Sequence, residues 1–300
     1  MQPLFAHLSD PHLTSLDGVR RRQLINKRLL GYLSWVRKRR FAHRPEVLTA
    51  MQRDLEVNPV ELVLITGDLT NVGLPAEFRQ ASAWLQQLGK PHEVAVVPGN
   101  HDAYVKTRWN ESLALWDAYM RSDDSATTQF PSLRVRGNVA FIGVSTSCPT
   151  PPLMATGTVG KDQLQRLAQQ LVTARAEGLC RVIFLHHSPL IATEKWRKRL
   201  TDAPALQELI QKHGAELVLH GHGHRAHHRE LETQHGKLPV IAVPSASAVG
   251  YHGAEVASYN RCAVTKTDAG WRIDIESRGY DNTSGEFTTR GRRSIDLARD

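Results

Sequence analysis

Cysteine is scarce: Cys148, Cys180 and Cys262 are the only three in 300 residues. An odd number at unrelated spacings makes neither a disulfide framework nor a thiolate metal clip, and it points to a reducing compartment, with the cytoplasm as the expected location. Long apolar runs are missing too. No stretch approaches the ~20 residues a helix needs to span a bilayer, which excludes a helical membrane-spanning protein. The opening residues Met1 to Asp10 lack a basic stretch, an apolar run and a small-residue cleavage site, so no secretory leader is expected there. Internal repeats and low-complexity linkers are likewise lacking, and nothing in the composition marks a domain boundary. With 41% hydrophobic and 23% charged residues the chain has the balance of a globular protein, not of a disordered or collagen-like one.

The charge that is present is unevenly placed. Ten of the 38 Lys and Arg fall between Asp17 and Arg44, against one acid, and this segment accounts for the whole net charge of +8. The rest is close to neutral, so any argument about an anionic partner belongs to residues 17–44.

Short β-branched runs alternate with longer amphipathic stretches, the pattern of an α/β fold. Strands are expected at Leu4 to Leu8, Leu62 to Thr66, Val94 to Val97, Val139 to Val144, Val182 to Leu185, Leu217 to Leu219 and Val240 to Val243. Helices are expected over 21–40, 45–57, 75–88, 107–121, 161–176 and 202–213. Beyond residue 225 the helical period fades and short alternating runs predict antiparallel strands. A single domain over 1–280, with an insertion at 17–44 and a mobile tail over 281–300, completes the expectation.

Five of these strands end in clusters of metal-competent side chains. Asp10-Pro11-His12, Gly67-Asp68, Gly99-Asn100-His101-Asp102, His186-His187 and Gly221-His222-Gly223-His224 each follow a strand. Taken singly, each has an ordinary explanation: aspartates cap turns, asparagine forms them, and a lone histidine is most often a satisfied buried imidazole. Taken together they fit one site, because α/β sheets gather ligands at the carboxyl ends of their strands.

In this order the clusters resemble the calcineurin-like metallophosphoesterase superfamily, with its Asp-x-His, Gly-Asp, Gly-Asn-His-Asp, strand-end His and Gly-His-x-His. The resemblance implies a sandwich of two packed mixed β-sheets flanked by helices. It also implies two divalent transition-metal ions, Mn, Fe or Zn, a choice that the mixed carboxylate, amide and imidazole donors suit. Asp10, His12 and His224 would hold one ion and Asn100, His186 and His222 the other, with Asp68 between them. His186 is taken as the ligand and His187 as its neighbour, although counting back from Pro189 favours His187. A hydroxide between the ions would attack phosphorus, His101 would serve the leaving group as general acid or polarise the phosphate, and Asp102 would orient His101. Pro244-Ser245-Ala246-Ser247 is another family feature, expected to carry little chemistry.

The insertion reads as a basic amphipathic helix, with Ile25, Leu29, Tyr32 and Val36 in a stripe widened by Leu24, Leu33 and Trp35. It either packs on the body as a lid, contacts an anionic membrane surface, or lines nucleic-acid phosphates. No second basic stretch supports the nucleic-acid alternative. Asn26 to Leu33 is similar to the insertion of bacterial UDP-2,3-diacylglucosamine pyrophosphohydrolases of lipid A synthesis, which implies a lipid-linked phosphoester or pyrophosphate substrate at the membrane surface. A soluble phosphate-containing small molecule such as a cyclic nucleotide, hydrolysed by the same mechanism, is the alternative. A non-enzymatic scaffold is the third, disfavoured by the complete set of site residues.

Overall fold

Strand β1 (Leu4–Leu8) is buried along almost its whole length, as a strand covered on both faces must be. It pairs in parallel with β2 (Leu62–Ile65), which pairs in parallel with β3 (Val94–Val96). The structure, a computed structural model, describes residues 2–13, 15–191 and 193–298. Further along come β4 (Ser132–Arg136), β5 (Val139–Val144), β6 (Cys180–Leu185), β7 (Leu217–His220), β8 (His227–Thr233), β9 (Gly236–Ala242), β10 (Ser258–Thr267), β11 (Gly270–Asp281) and β12 (Glu286–Ala298). They form two six-stranded mixed sheets, in the orders β12-β11-β10-β1-β2-β3 and β4-β5-β6-β7-β9-β8.

The sheets face each other across a dry layer that includes Phe5, Leu62, Leu64, Phe141, Val182, Phe184, Leu219 and Ile273. The outer faces are covered by helices. The insertion carries α1 (Arg28–Ser34) and α2 (Arg40–Ala42); α3 (Pro45–Val57) and α4 (Pro75–Leu88) back the first sheet, beside the short α5 (Asp117–Met120). Helices α6 (Lys161–Ala176) and α7 (Ala203–His213) back the second. The buried face of α3, Val47, Leu48, Met51 and Leu55, has the spacing of a one-sided helix, and Pro45 opens it where no N–H is needed. The result is the expected α/β sandwich.

Three local expectations are corrected. The helix over 107–121 is instead two 3-10 turns and α5, interrupted at Ser112, whose hydroxyl bonds back to the carbonyls of Arg108 and Trp109. The helix over 21–40 is also broken. Ile25 leaves helical geometry, Asn26 Oδ1 accepts the backbone N–H of Arg28, and a π turn over Trp35–Arg39 follows α1. The expected tail is the edge strand β12, paired along β11 with a bulge at Ser277/Arg278.

The insertion packs onto the body through Trp35, Leu16, Val72, Leu74 and Tyr104. Gly31 makes this approach possible, since a Cβ there would stand 2.5 Å from Val72 Cγ1. Arg28 reaches the carbonyls of Val72 and Gly73, and Lys27 reaches Thr150 and Met154. The apolar stripe therefore divides. Leu24 and Trp35 are buried, Tyr32 and Val36 pack against the cluster around Trp35, and Ile25, Leu29, Leu30 and Leu33 stay exposed.

At the amino ends of β6 and β7, buried Arg181 on β6 holds Glu216 just before β7 with a forked contact, Nε to Oε2 at 3.0 Å and Nη2 to Oε1 at 2.5 Å. Removing one member of such a pair strands the other charge. Glu216→Ala is expected to cost about 3–5 kcal/mol in urea unfolding, while joint replacement of both residues by Met and Leu recovers most of it. A single-variant cost below about 1 kcal/mol contradicts this account.

Candidate metal centre

Strands β1, β2, β3, β6 and β7 are connected so that their carboxyl ends meet at one edge of the sandwich, and every residue expected at the site arrives on a loop leaving one of them. The loops are tied to each other by backbone. Asp10 N–H reaches Gly67 O at 3.0 Å, His12 N–H reaches Asp68 O at 3.0 Å and Gly221 N–H reaches His186 O at 3.1 Å. Gly221 and Gly99 permit the tightest approaches, because a Cβ would fall 1.7 Å from Ser9 Oγ at the first and 2.2 Å from Asp68 Oδ1 at the second.

The backbone is strained at this point. Asp10, His12, Asp68, His222 and His224 all have positive φ, between 39° and 67°. Left-handed backbone in non-glycine residues is costly and is kept where surrounding structure enforces it, commonly at functional sites.

Two groups of donor atoms result. In the first, the donor atoms of Asp10, His12, Asp68 and His224 lie within 4.8 Å of one another, with His12 Nε2 and His224 Nε2 3.2 Å apart and His224 Nε2 3.0 Å from Asp10 Oδ1. In the second, His186 Nε2 is 3.1 Å from Asn100 Oδ1, 3.2 Å from His222 Nδ1 and 3.4 Å from Asp68 Oδ2. Asp68 Oδ2 stands between them, 4.0 Å from His12 Nε2. Its other oxygen, Oδ1, accepts the His101 N–H at 2.7 Å.

The arrangement fits cations. Metal bonds of ~2.1 Å set neighbouring donors about 3.0–3.4 Å apart, the spacing of His224 to Asp10 and His12 and of His186 to Asn100, His222 and Asp68. Asp10 Oδ2 is satisfied by Ser9 Oγ and His222 N–H, whereas buried Asp10 Oδ1 faces the first group, with His224 Nε2 3.0 Å away. His186 Nδ1 is committed to Thr66 O at 2.6 Å, which turns Nε2 toward the donors. Neighbouring His187 has Thr146 Oγ1 at 2.8 Å from Nδ1 and Ala155 O at 3.2 Å from Nε2, so both its nitrogens are occupied by protein.

Electrostatics point the same way. Burial would raise the carboxyl of Asp68, but His186 and His101 beside it hold it well below the usual range. Burial keeps His12 and His222 neutral, with neighbouring imidazoles adding to the effect. His186 is the exception: burial opposes its charge, yet Asp68 carries its pKa up to about 9. A metal ligand must give up that proton. At pH 7, loading with Mn or Zn is therefore expected to release about one proton per chain from His186, and affinity rises with pH until about 9. Titration calorimetry in two buffers of different ionisation enthalpy measures it; a buffer-independent heat refutes it.

His101 and Asp102 arrive beside the donors but not as a pair. His101 Nδ1 lies 2.6 Å from Asn71 O, and its ring stacks on Tyr104. The Asp102 carboxylate accepts N–H groups of Asp68, Thr70 and Gly99 and the Thr70 hydroxyl, so it fastens the two loops together instead of orienting His101. Burial, reinforced by Asp68, pushes its pKa up to about 7.

Three residues at the site went unmarked as such in the sequence. Arg39 of the insertion places Nη2 2.8 Å from His101 Nε2. His43 packs edge-on against the ring of His12 and is held by the hydroxyls of Ser245 and Ser247. Ser245 also donates to Asp10 O at 2.6 Å, so the Pro244 to Ser247 stretch does more than was expected of it. A cavity of about 430 Å³ opens beside the donors, lined among others by His12, Trp35, Arg39, Phe41, His43 and Arg44.

Residues 3–226 match the family model described as calcineurin-like phosphoesterase. A probable cyclic nucleotide phosphodiesterase of Synechococcus sp. is 27% identical over 225 residues, covering 74% of this chain and 78% of that one. A 3',5'-cyclic-nucleotide phosphodiesterase of Nostoc sp. is 28% identical over 197 residues, covering 63% of this chain and 65% of that one. Among solved structures, a dimetal phosphatase from Danio rerio shares the fold, with a TM-score of 0.58, 15% identity and 99% of each chain covered. Five strand-end loops, two donor groups sharing one carboxylate and the match over residues 3–226 agree: the chain belongs to the calcineurin-like phosphoesterase family and is a metal-dependent phosphoesterase.

Proposed function

We propose that the enzyme is a phosphodiesterase whose substrate is a cyclic nucleotide. The observation that carries this reading is the cavity: at about 430 Å³ it has the size of a small-molecule site, and its lining joins cations, Arg39 and Arg44, with two aromatic side chains, Trp35 and Phe41. Cations suit the phosphate and flat rings suit a base. The names of the two cyanobacterial relatives support the same substrate class.

In this reading Asp10, His12, Asp68 and His224 hold one divalent cation and Asp68, Asn100, His186 and His222 the second. Such cations supply Lewis-acid polarisation of a phosphoryl oxygen and activation of water. The chain's own residues do the rest. Asp102 fixes the Asp68 and Asn100 loops against each other, and Asp68 N–H and Gly99 N–H are spent on that carboxylate. His101 has Nδ1 committed to Asn71 O and Nε2 facing the Arg39 guanidinium at 2.8 Å, and burial beside that cation brings its pKa down to about 3, so its ring is neutral at pH 7 and serves the leaving alkoxide only where Arg39 turns from Nε2 to the phosphate.

A second reading, hydrolysis of a lipid-linked pyrophosphate such as UDP-2,3-diacylglucosamine at an anionic membrane surface, is favoured by one observation. Ile25, Leu29, Leu30 and Leu33 are exposed on the insertion among Arg20, Arg21, Arg22, Arg37 and Lys38. No described helix is long and apolar enough to cross a membrane, so such contact would be peripheral. These apolar residues do not line the cavity, which is why the nucleotide is preferred. Assays of the Mn-loaded enzyme on 3',5'-cyclic AMP and on UDP-2,3-diacylglucosamine in mixed micelles separate the two. The expected kcat/KM is at least about 100-fold higher on the cyclic nucleotide. The reverse preference, with sedimentation on anionic vesicles, establishes the lipid reading instead.

A further inference from the structure

Arg39 stands apart from the other cations of the insertion. Arg37, Lys38 and Arg40 are exposed, whereas the π turn over Trp35–Arg39 turns Arg39 inward until its guanidinium meets the ring of His101 and lines the cavity. Among the described residues its side chain pairs with the His101 imidazole and with no carboxylate. A half-buried guanidinium is normally balanced by an acid. Orienting His101 does not require it either, since Asn71 O and the Tyr104 ring already fix that imidazole. A guanidinium has five N–H donors in a planar fork that matches phosphate oxygens, and the contacts with His101 leave part of that fork facing the cavity.

We propose that Arg39 is a catalytic residue supplied by the insertion, which binds the non-bridging oxygens of the substrate phosphoryl group beside the metal donors. The insertion is then part of the phosphate site, and its seating through Trp35, Tyr104 and Gly31 sets the reach of Arg39. This rests on the phosphoesterase activity and not on the identity of the nucleotide.

The test uses the full chain loaded with Mn, bis(p-nitrophenyl) phosphate as substrate and inorganic phosphate as competitive inhibitor. Both probes are indifferent to whether cyclic nucleotides are substrates, so failure of that reading leaves the result intact. Arg39→Ala is expected to keep its metal content and melting temperature, to lose about 100-fold in kcat/KM and to raise the Ki of phosphate about 10-fold or more. Added guanidinium ion is expected to restore part of the rate, an effect that a purely structural role would not produce. Arg53→Ala, an exposed cation on α3, controls for loss of one surface charge. If Arg39→Ala does not fold, Arg39→Lys decides, with a phosphate Ki raised about 3-fold or more expected for loss of the fork. A phosphate Ki within twofold of wild type in the folded variant overturns the proposal, as does loss of metal in step with loss of rate.

Discussion

Asp68→Ala is expected to lower bound metal from about two ions to one or fewer per chain and to reduce turnover on any phosphodiester by about 1,000-fold or more. The size follows from the shared position of one oxygen. Asp68 Oδ2 lies between the two donor groups, 3.4 Å from His186 Nε2 and 4.0 Å from His12 Nε2, so its loss weakens both. A second readout is independent of turnover. Because Asp68 raises the pKa of His186, the proton released on metal loading at pH 7 should largely disappear in the variant. Elemental analysis after saturation and calorimetry measure the two effects. Two retained ions with wild-type turnover would falsify the shared-carboxylate assignment.

His101→Ala is expected to keep both metals and lower turnover by roughly 100- to 10,000-fold. Its Nδ1 is held by Asn71 O and its Nε2 faces Arg39 Nη2 at 2.8 Å, and neither ring nitrogen lies in a donor group. The comparison that tests the role sets a p-nitrophenyl diester against a diester with a poor alkoxide leaving group. A larger loss on the poor leaving group marks proton donation. Equal losses would show instead that His101 acts by seating Arg39 against the phosphate.

The gathering of the site was legible in the sequence because its chemistry is carried by whole residues at strand ends. Parallel strands place their carboxyl ends together whatever the loops do, so Asp10, Asp68, Asn100, His186 and His222 could be brought to one edge without coordinates. Choosing His186 over His187 needed more: it depended on which ring found Thr66 O and which found Thr146 and Ala155. Arg39 was illegible for a different reason. In the run from Arg37 to Arg40 any of four cations could face inward, and helical periodicity does not survive a π turn. The pairing expected between Asp102 and His101 failed because four donors nearer in the loops satisfy the carboxylate first. Strand β12 escaped notice since its burial alternates little: Phe287 is buried, but Arg290, Arg292 and Arg293 are exposed along an edge, where charge protects unpaired backbone from other chains.

The order of strands in the first sheet bears on how the molecule is made. Strand β1 lies between β2 and β10, so during synthesis it waits for residues 258–267 before both its edges are paired. Asp10 waits as well, since its carbonyl is bonded by Ser245 and its carboxylate by the backbone of His222. These contacts join residues more than two hundred positions apart, and long-range contacts form slowly. The match to the family ends at residue 226, but folding does not: a nascent chain halted there would hold every metal donor and still lack β10 beside β1 and Ser245 beside Asp10.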